Sequence, residues 1–200
     1  MQLEKTEGIT LRSMEYKERE RILTLFTEEK GVISLILKGI SRSRPHLLAL
    51  STPFCIADFH TLKGSSDLYR LHDATLKESL PELRRSFAHL SAAGEMVKNL
   101  LLSQMPEKRA PLLYRLLKSY LFRLPSFTDP TPVEVSFTLK LLLHEGLLSL
   151  SCAPPLFTSE EWSRLAPLAC AARFSSLPAA PINPLLQDKI RTHFRETLQR

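Results

Sequence analysis

Five short apolar runs fall within the first 75 residues, and each is too brief for a helix. Gly8-Ile9-Thr10-Leu11-Arg12-Ser13 alternates apolar and polar residues, the period-two pattern of a half-buried strand. Ile22 to Thr27 and Val32 to Leu37 are rich in β-branched and aromatic residues. Glu28-Glu29-Lys30-Gly31 separates them, with Gly31 free to take positive φ, so these two runs should pair as a hairpin. Phe54 to Leu62, entered through Pro53, is the fourth run. Leu68 to Ala74 is the fifth, after the turn cluster Lys63-Gly64-Ser65-Ser66-Asp67. Five short strands suit a small closed barrel, because closure removes exposed sheet edges. Ser41 to Leu50 is too long for a hairpin loop and has room for a short helix over the barrel.

The period changes after about Leu76. Pro81 can open a helix at its first turn. Phe87 to Leu102 then carries Leu90, Ala93, Met96, Val97, Leu100 and Leu101 at helical spacing, and Met105-Pro106 stops it. Pro111 starts a second helix with Leu112, Leu113, Leu116, Leu117, Tyr120, Leu121 and Leu124 on one face and Arg115, Lys118 and Phe122 opposite. A third, over 133–148, is nearly apolar all round and is expected at the centre of the bundle, with Gly146 as its C-cap residue. From Cys152 to Pro184, prolines including Pro167, Pro178 and Pro181 leave room for short helices only. Leu185 to Leu198 reads as a final amphipathic helix. The expectation is an α+β chain: a five-stranded β-barrel over 1–76 and an α-helical bundle over 77–200.

Composition narrows the function. A net charge of +6 and a pI near 9.4 favour a polyanionic partner. The excess forms no basic tail, and basic and acidic residues nearly balance in the first 75. The N-terminus has no apolar stretch of signal-peptide type, and no run approaches a membrane span, so the expectation is a cytoplasmic protein with no membrane role. Cys55, Cys152 and Cys170 are too few and too scattered for a disulfide scaffold, and Cys55 reads as a buried, inert thiol. Phosphate-loop, dinucleotide, nucleophile-elbow and zinc-protease signatures are absent. His72 and Asp73 are adjacent in a strand, point to opposite faces, and make a poor dyad. No catalytic residue, cofactor or metal site is assigned, and the chain is not expected to be an enzyme.

The strongest local feature is Leu37-Lys38-Gly39-Ile40-Ser41-Arg42-Ser43-Arg44-Pro45-His46, where cations on a Gly/Ser loop can reach phosphates without being buried. Lys38, Arg42 and Arg44 are therefore assigned to DNA, with Arg12, Lys63 and Arg70 as further barrel cations. The alternative is a solvated loop with incidental charge. Met14 to Arg21 is a second charged loop whose three Glu nearly cancel Lys17, Arg19 and Arg21, so it reads as solvated. Tyr69, beside Arg70, is the aromatic assigned to base stacking.

The order of Gly8-Ile9-Thr10-Leu11-Arg12, Leu25-Phe26-Thr27-Glu28-Glu29-Lys30-Gly31, Lys38-Gly39 with its Ser/Arg run, and Pro53-Phe54 resembles the N-terminal domain of the RecO family. Leu112-Leu113-Tyr114-Arg115-Leu116-Leu117 and Leu141-Leu142-Leu143-His144-Glu145-Gly146-Leu147-Leu148 are similar to its helical bundle. The likeness covers roughly residues 5–150. It implies an OB-fold joined to a helical domain, and binding and annealing of single- and double-stranded DNA. It also implies a part in DNA repair and RecF-pathway recombination, helping to load recombinase on coated single strands. The implied partners are RecR and the C-terminal tail of single-strand-binding protein (SSB), with Arg115, Lys118 and Arg123 as the candidate surface for that acidic, apolar tail.

Many members of that family carry two C-x-x-C pairs after the bundle. Here Pro155 and Arg173 stand where the second cysteine of each pair would be, so 152–184 reads as the Pro-rich remnant of a zinc module without its metal. Two other readings remain open. One is a protein-interaction scaffold that binds RecR and SSB with weak DNA contact. The other is an enzyme acting on nucleic acid, for which the acidic metal cluster is lacking.

Overall fold

The computed structural model describes residues 2–64, 66–177 and 182–198; Ser65, Pro178 and Pro181, named above, lie outside them. The chain divides into two compact units, Met1–Pro81 with Gln104–Lys118, and Glu82–Ser103 with Ser119–Arg200. The sequence placed its boundary at 76/77. The contacts add residues 104–118 to the barrel, because that segment hydrogen-bonds and ion-pairs with the strands.

The first unit is built on β1 (Gln2–Lys17), β2 (Glu20–Thr27), β3 (Gly31–Lys38), β4 (Ile56–Lys63) and β5 (Leu68–Glu78). They close into a barrel in the order β1-β2-β3-β5-β4, with only β3 and β5 parallel. This is the expected OB-fold. β1 is long because it serves two neighbours: Gln2 to Ile9 pairs with β4, and Gly8 to Lys17 pairs with β2. A bulge between Thr10 and Arg12 bends it from one to the other.

Period-two patterning fills the barrel. Leu23 stands opposite Leu35 and Leu25 opposite Ile33, and all four are buried with Leu37, Ala57, Phe59 and Tyr69. The short helix α1 (Pro45–Leu50) adds Leu47 and Leu50 to the same core, as the length of that connection predicts. In the β2–β3 turn, Gly31 takes φ +67°, and the Thr27 hydroxyl donates to its carbonyl at 3.0 Å. A Cβ at Gly31 would lie 2.0 Å from the Lys108 carbonyl oxygen, so the returning segment needs glycine there. Glu107 N donates to Val32 O at 2.8 Å from the same segment.

The second unit holds α2 (Phe87–Ser103), the end of α3 (Pro111–Arg123), α4 (Thr131–His144), α5 (Ser159–Cys170) and α6 (Pro184–Leu198). Every residue of α4 from Pro132 to Leu139 is buried, which makes it the central helix its composition predicts. It ends on Gly146 at φ +71°, where Leu147 N donates to Leu142 O and Gly146 N to Leu143 O. That is the Schellman arrangement, which satisfies the last carbonyls. Leu112, assigned to the apolar face of α3, is 65% exposed because it sits at the margin of that stripe.

α5 departs from the expectation of short helices only. It runs three turns through Pro167. A capping box between Thr158 and Glu161 starts it, and Trp162, Leu165, Leu168 and Ala169 bury one face. Those contacts outweigh the hydrogen bond Pro167 removes.

Candidate nucleic-acid interface

Strand register decides which side chains share the outer face of the barrel. Because Leu23 and Leu35 point inward, their neighbours Ile22 and Ile36, also opposite one another, face outward. The row continues on both sides, with Met14 opposite Ile22 and Arg70 opposite Ile36. Arg12, Thr24, Ser34 and Leu68 form the next row. In the other direction Lys38 stands opposite Glu20, 3.3 Å from its carboxylate. Arg12, Lys38 and Arg70, far apart in sequence, are thus exposed on one face.

β3 and β5 pair only over Ser34–Ile36 with Leu68–Arg70 and then separate. The gap is a cleft of about 450 Å³. Ile36, Leu47, Leu50, Leu71 and Ala74 give it an apolar lining, and Lys38, Arg44, Arg70, His46, His72 and Asp73 a polar one. Gly39, at φ +75°, seats Arg44: a Cβ there would lie 2.8 Å from Arg44 Nη1. Arg44 N donates to Ser41 O at 3.0 Å, closing the turn that presents the arginine. Among the described residues, Arg12, Arg42, Arg44 and Arg70 form no ion pair, so their charge remains open to an anion.

The model for the N-terminal domain of recombination protein O matches residues 1–80. Over 171 residues the chain is 30% identical to the DNA repair protein RecO of Acetivibrio thermocellus, covering 80% of this chain and 66% of that protein. The chain belongs to the RecO family. It is 33% identical over 140 residues to the RecO of Desulfitobacterium hafniense, with 70% and 50% covered. It is 35% identical over 149 residues to that of Rubrobacter xylanophilus, with 73% and 58% covered. It spans about half to two thirds of the length of these relatives.

Within this RecO-family barrel, the cleft brings together three residues assigned to DNA from sequence: Lys38, Arg44 and Arg70. Arg42 is exposed on the same loop, and Arg12 lies on the same outer face. Lys63 is committed elsewhere, bonded to Glu107 at 2.5 Å and 5.0 Å from the Tyr69 ring centroid. Tyr69 itself is corrected. It is 1% exposed inside the barrel and offers no face to a base. Its position inward follows from its place opposite Leu35, a core residue.

Two further expectations change. His72 and Asp73 do not take opposite faces. β5 bulges against β4 between Asp73 and Leu71, which leaves His72 as the extra residue, and both side chains line the cleft. Met14 to Arg21 is not a loop, because β1 and β2 pair through Glu15 and Arg21 to Lys17 and Glu20. Charged residues tolerate this pairing since alternate ones face water and Arg21 bonds Glu15 at 3.2 Å. The hairpin holds Met14 and Tyr16, 63% and 50% exposed, which the sequence reading passed over. Their apolar character amid charge was the signal available.

Two of the three partner residues proposed on α3 are also engaged. Lys118 donates to Glu7 at 2.5 Å, and Arg115 Nε lies 3.7 Å from Glu28. Arg123 lies in the helical unit, lining a shallow groove with Phe122, Arg173 and Phe174. Around Glu7, burial pushes the carboxyl up, but hydrogen bonds from Lys118, Lys77 and Tyr114 outweigh it and hold it at about 2.

Cys55 is buried as expected, while Cys152 and Cys170 are exposed. Among the described residues no group of three His, Cys, Asp or Glu could hold a metal ion. No helix among them is long and apolar enough to cross a membrane.

Proposed function

We propose that this chain acts in DNA repair and homologous recombination as a non-enzymatic mediator of the RecF pathway. It binds single- and double-stranded DNA through the barrel, anneals complementary strands and helps load recombinase on SSB-coated single strands. RecR and the C-terminal tail of SSB are its protein partners. Annealing needs only that two like-charged strands be held together, which a cationic surface does without turnover. The convergence of Lys38, Arg44 and Arg70 on one cleft carries this reading.

The test is anisotropy of a labelled single-stranded oligonucleotide across a salt series. The unaltered protein should bind with log K falling about 0.7 per phosphate contact as log salt rises. Lys38→Ala, Arg44→Ala and Arg70→Ala together should weaken binding and flatten the slope by about 2. Unchanged affinity and slope would favour the second reading, a scaffold for protein partners. One observation speaks for that reading: Lys5, Lys30, Lys38, Lys63 and Lys77 are each ion-paired to a carboxylate of the barrel unit.

A further inference from the structure

The outer row of the barrel is apolar for three strands and cationic at the fourth: Met14, Ile22, Ile36, Arg70. Neighbouring strands lie about 4.8 Å apart, so the row extends roughly 14 Å, room for a few nucleotides of extended single strand. Tyr16 stands at the β1 end, the extra residue of the bulge between Glu15 and Lys17, and half of its surface is open. The hairpin tip carrying it is fixed. Ile40 N donates to Arg19 O at 2.9 Å, and Arg21 Nη1 donates to Ser51 Oγ at 3.3 Å. The first of these bonds ties the tip to the segment leading into Arg42 and Arg44.

Charge at the tip nearly cancels. Arg21 is bonded to Glu15, and Glu15, Glu18 and Glu20 offset Lys17, Arg19 and Arg21, which leaves little net attraction for phosphate at the tip itself. What the tip does offer is the half-exposed Tyr16 ring, with the Lys17 ammonium 5.3 Å from its centroid, and an exposed thioether beside two half-buried isoleucines. We propose that Tyr16 and Met14 form a base-contacting platform that makes this barrel favour single strands over duplex. Bases lie on Tyr16, Met14, Ile22 and Ile36, while Arg70 and Arg44 at the far end of the row hold the phosphates. Duplex DNA has its bases stacked and paired, so it meets the cations but not the platform. The inference rests on the DNA-binding reading above and adds which form of DNA is preferred and which residues decide it.

The experiment titrates labelled oligothymidylate and a labelled duplex of equal length with the full chain, then with Tyr16→Ala, Tyr16→Trp and Met14→Ala. Tyr16→Ala should weaken single-strand binding roughly tenfold and leave duplex affinity and the single-strand salt slope unchanged. Tyr16→Trp should restore or exceed the original affinity, and Met14→Ala should show a smaller loss of the same selectivity. If the unaltered chain binds DNA but Tyr16→Ala changes nothing, or costs both forms equally, the platform is overturned and the mediator reading stands. If the unaltered chain binds neither form, both fall together.

Discussion

The Tyr114 hydroxyl donates a 2.8 Å hydrogen bond to Glu7 Oε1, joining two residues 107 positions apart within the barrel unit. The Tyr114 ring meets Phe26 edge-on, with centroids 5.7 Å apart. Lys118 shares the same Glu7 oxygen, and Lys77 bonds the other at 2.8 Å. Burial and the neighbouring carboxylate hold the Tyr114 hydroxyl well above the ordinary tyrosine range, so it remains a donor at any working pH. Tyr114→Phe keeps the ring contact and removes one charge-assisted bond. It should lower stability by about 1–2 kcal/mol, read from urea unfolding, and a loss below about 0.5 kcal/mol would show the bond to be idle.

Glu7 also sets an acid limit. Its carboxyl, held at about 2 in the fold against an ordinary 4.5, stays ionised when that of the unfolded chain has begun to take up a proton. The stabilisation is therefore complete above pH 4.5 and is lost as pH falls toward 2. After solvent screening it amounts to about 1–2 kcal/mol. Glu7→Gln should cost stability at pH 7 and progressively less at pH 3; a penalty equal at both would rule out the ionised form as the source.

Gly31 and Gly146 both take positive φ, yet their substitutions should differ. Alanine at 146 meets open space and pays only for its backbone conformation, about 1 kcal/mol. Alanine at 31 also places Cβ against the Lys108 carbonyl, so Gly31→Ala should cost about 3 kcal/mol. Equal shifts in urea midpoint would mean that the returning segment yields freely.

Glu134 in the helical unit has the opposite balance. Burial raises its pKa, and the opposing Arg191 guanidinium at 3.0 Å, with Gln187 at 3.1 Å, does not fully compensate. Removing the cation in Arg191→Met leaves a buried acid that folds best protonated. The variant should lose about 2–4 kcal/mol at pH 8 and less at pH 5, where the proton is available. Chemical unfolding at the two pH values decides it, and a loss that grew on acidification would contradict the assignment.

Ser136 links α4 to two neighbours, paired with the Tyr120 hydroxyl at 2.8 Å and donating to Leu168 O at 2.7 Å. Ser136→Ala removes only the hydroxyl and strands both partners in a buried site, so about 2 kcal/mol should be lost. A thermal melt unchanged within a degree would argue that water takes over these bonds.

Much of the fold was written in local pattern. The period-two runs, the Gly31 turn, the apolar run of α4 and Gly146 each act over a few residues, and each appears where its chemistry requires. The site was legible as chemistry but not as geometry. Lys38 and Arg44 belong to one sequence motif, whereas Arg70 and Arg12 join them only through strand register. Tyr69 shows the cost of reading an aromatic without register, since a shift of one residue along a strand exchanges the core for solvent.

By itself the sequence determined most of the element types, their order, and a cationic Ser/Arg loop, because propensity, turn geometry and charge are local properties. The tertiary structure decided that 104–118 returns to the barrel, that Lys118 answers Glu7, and that Met14 and Tyr16 stand exposed on a paired hairpin. Those outcomes depend on which backbone edges meet and which charges are left unpaired when they do, and contacts between distant residues leave no trace in a local pattern.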